Sequence, residues 1–181
     1  MALADDIITR HAACGVLDQR QICWLQEQGV PRAALHNPDV LARADVVFGP
    51  RYFAFNDEMP GELTMSAIII LAYDGEGVPA DLVAWAPRSR QVATWLGRVA
   101  VMGDVGAPRL ASHGALAVYT DPLGWLRAGR EGVCIVDAAL AHHHLQDVGP
   151  YAVEDADTGV FLEEILARPR PNILVVLKDA A

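Results

Sequence analysis

The sequence predicts an α/β fold, with N-terminal helices, a β-hairpin region after them and a parallel sheet in the C-terminal half. Three observations predict it. Apolar residues recur at helical spacing between Ile7 and Leu25. Two runs of strand-forming residues flank Asp74-Gly75-Glu76-Gly77. From residue 114 a short apolar run is followed by a helical pattern three times over, as in parallel strands joined by crossover helices. Residues 1–113 are thus expected to form helices and an antiparallel β region, and residues 114–181 a βαβαβα-β core packed with it as one unit.

The first segment carries Ile7, Ile8, Cys14, Leu17, Ile22 and Leu25 on one or two amphipathic helices, stopped by Gly29 and Pro31. VVFG and YFAF, separated by Pro50 and Arg51, read as short strands. SAIIILAYDGEGVPADLVAWAP reads as a hairpin, with glycine at the positive φ its turn requires. RVAVMG adds a strand, and GDVGAPRLASHG is a loop out of the region. ALAVYT is then a strand, and Asp121-Pro122 opens a helix with a cap and a proline at its first position. GVCIVD precedes AALAHHHLQ, PYAVED precedes TGVFLEEILA, and ILVVL closes the sheet. Crossovers between parallel strands are right-handed.

Over 181 residues, 52% of them hydrophobic, the chain can bury a sizeable core. No apolar run approaches the roughly 18 residues of a membrane span. The first residues, MALADDIITRH, lack the basic start of a signal peptide, and three scattered cysteines suit free thiols in a reducing compartment. A cytoplasmic location is expected. The net charge of −9 argues against general nucleic-acid binding. Residues 86–130, however, hold six arginines, Arg88, Arg90, Arg98, Arg109, Arg127 and Arg130, against only Asp104 and Asp121. Sharing one groove, they would contact phosphates; scattered, they would be a solvated surface.

In a parallel sheet, ligands sit beyond the carboxyl ends of the strands. Asp121, Asp137 and the triplet Glu154, Asp155 and Asp157 fall there. Two or three such carboxylates suffice for Mg²⁺, which keeps several waters and can neutralise a phosphoryl group or activate water. The same acids also suit helix N-caps. His142, His143 and His144 point about 100° apart on a helix, so no two share a face as metal ligands would. Trp95 and Trp125, each followed by leucine, read as core anchors.

These units resemble the Toprim domain of primases and topoisomerases. ALAVYTDPLGWL would supply its first strand and helix, GVCIVDAALAHHHL the second, and YAVEDADTGVFLEEIL the third with Asp155-Ala-Asp157. WLQEQGVPRAAL and AIIILAYDGEGVPADLVAW are similar to the segments preceding that core in satellite-phage and plasmid type primases. The resemblance implies a catalytic set of Asp121, Asp155 and Asp157. It also implies a Mg²⁺ held by Asp155 and Asp157 with Glu154, and nucleic acid contacted by Arg88, Arg90, Arg98 and Arg127. Where the family has a glutamate followed by glycine, this chain has Asp121-Pro122, a shorter reach on a stiffer turn. The expected function is therefore a divergent, primase-related protein of phage or mobile-element type with weak or no catalysis. The alternative is a non-catalytic acidic protein that binds, and can inhibit, a host protein.

Overall fold

The structure, a computed structural model, describes residues 2–103 and 114–167. The closing run ILVVL, the loop over 104–113, and Asp104 and Arg109 lie outside the described residues. The described chain is mixed α/β, with five α-helices and two sheets.

Helix α1 (Ala2–Ala12) is followed by a two-residue strand, β1 (Gly15–Val16), and helix α2 (Gln19–Glu27). Asp18 starts α2 with a reciprocal capping box: its carboxylate accepts the Gln21 N–H, and the Gln21 side chain accepts the Asp18 N–H. A 3₁₀ turn, Arg32–Leu35, leads into β2 (Ala42–Phe48), β3 (Phe53–Phe55), β4 (Met65–Tyr73), β5 (Pro79–Ala86) and β6 (Gln91–Thr94). These strands build an antiparallel sheet in the order β1-β2-β4-β5-β6, with β3 also on β2. The β4–β5 hairpin turns as its sequence requires. The Asp74 carboxylate accepts N–H bonds from Glu76 and Val78, both 2.9 Å, and Gly77 sits at φ 77°.

The second sheet is built from β7 (Val101–Gly103), β8 (Leu116–Tyr119), β9 (Val133–Ile135) and β10 (Tyr151–Val153), in the order β10-β8-β9-β7. Helices α3 (Pro122–Arg127), α4 (Ala138–Leu145) and α5 (Ala156–Leu166) follow β8, β9 and β10 in turn. β8 pairs in parallel with both β9 and β10, but β7 joins β9 antiparallel. The sheet is therefore mixed, which corrects the wholly parallel expectation for the C-terminal half. A strand from before residue 114 occupies its edge, and that strand arrives from the antiparallel region running the other way. The 66–86 hairpin pairs within the first sheet and packs alongside this one without joining it.

Alternation along β4 explains the layering. Ala67, Ile69 and Leu71 face a core shared with Ile7 of α1 and with Phe53 and Phe55. Ile68, Ile70 and Ala72 face the opposite core, with Leu25 of α2, Met102, Trp125, Leu126 and Cys134. An apolar run without alternation is what a strand covered on both faces needs. Beyond the second sheet, α4 and α5 bury Ala141, Leu145, Leu162 and Ile165 against Leu116, Val118, Val133 and Ile135. β9 lies on one side of β8 and β10 on the other, so crossovers of one hand place α3 and α4 on opposite faces. The cores show that they are. No helix among the described residues is long and apolar enough to cross a membrane.

Candidate functional site

The carboxyl ends of β8 and β10 form a switch point. These strands are neighbours, yet the chain leaves β8 toward α3 on one face and β10 toward α5 on the other. Such a divergence opens a crevice in parallel α/β sheets. Asp121 stands at the first strand end and Glu154, Asp155 and Asp157 at the second.

Each strand-end aspartate is held by the helix it precedes. Asp121 is the N-cap of α3 and accepts the Leu123 N–H at 3.0 Å. Asp137 caps α4, accepting from Ala139 at 2.8 Å, and also takes the Arg51 guanidinium. Asp155 caps α5, accepting the Thr158 N–H at 2.7 Å. That bond from Thr158 holds the Asp155 carboxyl below its ordinary range. Asp157 lies exposed in the first turn of α5, where the helix dipole favours an acid.

Glu154 occupies a different position. Its carboxylate lies over Gly124 of α3, so closely that a Cβ there would come 2.6 Å from Oε2. Cys134 is fully buried, and burial raises its thiol pKa, with the Asp121 and Glu154 charges adding to the rise. It is therefore a neutral thiol at physiological pH and no nucleophile. Tyr119 is likewise pushed up by burial, then by Glu154 and Glu131. The fold thus brings the charges of Asp121 and Glu154 to bear on one buried sulfur. Among the described residues, no three His, Cys, Asp or Glu side chains gather where they could hold a metal ion.

The arginines fall in separate places. Arg88 and Arg90 sit exposed in the β5–β6 turn, Arg90 at φ 55°. Arg98 is at the other end of that ribbon, where its backbone N–H bonds Asp81 near the start of β5. At ~3.3 Å per residue, the two ends lie about 17 Å apart. Arg127 is tied to the end of α2, donating to the Gln28 carbonyl and to its side-chain oxygen. Arg109 lies outside the described residues.

Three polar anchors escaped the sequence reading. Asp81 is fully buried and accepts N–H bonds from Leu82, Leu96 and Arg98, each 2.8 Å. An acid inside ADLVAWA was the available signal. Glu58 accepts from the Phe55 N–H and from the Trp95 indole N–H, so Trp95 is half-buried and hydrogen-bonded. Arg130, at φ 67°, clamps the loop after the 3₁₀ turn by donating to the Ala34 and Asp39 carbonyls at 2.8 and 3.0 Å. Trp125 is buried as expected, its indole N–H on the Gly132 carbonyl. His142 is buried with its Nδ1 unbonded, while His143 and His144 are exposed.

Compared with known proteins, the chain matches no family model, no curated protein and no solved structure.

Proposed function

We propose that this chain is a divergent Toprim-like, primase-related protein of mobile-element type that acts by binding a partner and has little or no catalysis of its own. One observation carries the reading: Asp121, Asp137 and Asp155 each accept a backbone N–H of the helix that follows. A carboxylate oxygen so engaged is less available to a cation, and the helix start it supports would lose its cap if the side chain turned away. The surface chemistry favours a basic protein partner. The net charge is −9, and the outward side of α5 exposes Asp157, Val160, Glu163 and Glu164. Such a face can compete with nucleic acid for a cationic groove on a host protein.

The test compares two probes at physiological salt, a lysine-rich peptide and duplex DNA. The peptide should bind, and the triple variant Asp157→Asn, Glu163→Gln, Glu164→Gln should lose most of that binding. Binding to DNA with no affinity for the peptide would overturn the reading.

A second reading keeps residual Mg²⁺ chemistry, with Asp121 and Glu154 as the acids. It is favoured by the place of Glu154, whose carboxylate lies over Gly124 in the helix that Asp121 caps. Under it, metal-dependent nicking or primer synthesis would appear with Mn²⁺ and vanish in both Asp121→Asn and Glu154→Gln.

A further inference from the structure

β10 is an edge of the second sheet: among the described residues it pairs only with β8. Register and bonding show which of its backbone groups are spare. The Leu116 N–H donates to the Pro150 carbonyl at 2.8 Å, and Leu116 lies opposite Tyr151. In a parallel ladder the residues flanking such a position turn their backbone groups to the neighbouring strand, so Pro150 and Ala152 face β8. The N–H and C=O groups of Tyr151 and Val153 therefore point away from the sheet. Each of these residues offers a donor and an acceptor to an extended chain laid along the edge.

The side chains beside that edge divide by face. The Tyr151 hydroxyl bonds the Leu145 carbonyl of α4, and Val153 lies against α5, where a Cβ on Gly159 would come 3.6 Å from its Cγ2. Val153 is nonetheless 37% exposed, and Val160 on the outward side of α5 is 56% exposed. Glu154 turns to the opposite face, over Gly124 of α3. One face of the edge thus presents apolar surface and the other a carboxylate. Asp157, Glu163 and Glu164 add exposed negative charge along α5. Among the described residues no Lys, Arg or His forms a salt bridge with these acids. Unpaired acids beside a strand edge repel acidic segments and attract cationic ones.

We propose that β10 receives an extended segment of a partner protein as an added strand, one that alternates aliphatic residues with lysine or arginine. Its backbone would bond Tyr151 and Val153, its aliphatic side chains would lie on Val153 and Val160, and its cations on the side of Glu154. The proposal rests on the partner-binding reading and names the form in which the partner is held, a chain paired to backbone and not a basic surface held by charge alone.

Two peptides test it against the full chain at physiological salt. One is acetyl-KVKVKVK-amide; the other is the same peptide N-methylated throughout its centre, which keeps every side chain and charge and removes the ladder donors. The unmodified peptide should bind at least about tenfold more tightly, the worth of a few backbone hydrogen bonds. On its addition, amide exchange of Tyr151 and Val153 should slow at least about tenfold, while that of Ala152, already turned to β8, stays as it was. Val153→Pro removes an outward donor and leaves the β8 ladder intact, so it should bind the unmodified peptide no better than the methylated one. Should Val153→Pro fail to fold, the peptide comparison and the exchange on the unaltered chain still decide. Equal affinity for the two peptides, as follows if another segment of the chain already covers the edge, would overturn strand addition and leave the partner-binding reading standing. So would undiminished binding in Val153→Pro, or binding with no change in exchange at Tyr151 and Val153. Binding of neither peptide would overturn both.

Discussion

Asp81 ties β5 to the loop after β6 through three backbone N–H groups, two of them 15 and 17 residues away in sequence. Removing a buried acceptor leaves its donors unpaired in the core, at a cost of about 1–3 kcal/mol per group. Asp81→Ala should therefore lower the unfolding free energy by about 3 kcal/mol or more in urea melts, with Asp81→Asn less damaging because it keeps one acceptor oxygen. His11 offers a pH test. Burial lowers its pKa from 6.5 and outweighs the Asp39 carboxylate, which pulls the other way, while Arg130 adds to the depression. A depressed pKa in the folded state contributes stability above the unfolded value, and that stability is lost as pH falls through the folded value. Melting temperature should therefore decline as pH drops below about 6.5, and His11→Gln should flatten that part of the profile. A decline unchanged in the variant would assign it to other groups. Legibility divides along the same line. Asp121, Asp137 and Asp155 were readable as caps because cap and N–H are two or three residues apart. The partners of Asp81 were not, because a strand pairing had to bring them together.

The strand–helix units after residue 114 were legible because each strand, cap and helix follows from its own local pattern. Strand direction is a property of pairing, and the three residues of β7 carry no signal for it. That is why the mixed character of the second sheet was missed. Elsewhere, glycine records a close approach that pattern alone cannot show. Gly132, at φ 75°, lies where a Cβ would fall 2.4 Å from the Ala117 carbonyl oxygen, just before β9 pairs with β8. Gly132→Ala combines a clash with backbone with a left-handed conformation that alanine disfavours. It should cost about 2 kcal/mol or more by denaturant titration. A cost below about 0.5 kcal/mol would mean that β8 and β9 separate easily at this end.

Across the whole molecule, the proposed reading is a protein that binds basic surfaces in preference to the nucleic-acid backbone, and the placement of the arginines supports it. Arg88 and Arg90 are separated along a ribbon from Arg98, and Arg127 is engaged by Gln28. DNA affinity should accordingly be weak, with a shallow dependence on salt reflecting one or two phosphate contacts at a time. A steep slope, lost in steps as Arg88, Arg90 and Arg98 are replaced, would show that they act on one duplex together. The acids carry the more decisive claim, that strand-end aspartates serve as helix caps. The direct measurement is the melting temperature from zero to about 10 mM Mg²⁺ or Mn²⁺, for the native chain and for Asp121→Ala, since a cation held only by the folded state raises it by mass action. The account predicts flat curves for both proteins, with Asp121→Ala lower by about 1 kcal/mol of stability at every metal concentration. A melting temperature that climbs with metal in the native chain, and no longer does so in Asp121→Ala, would contradict it.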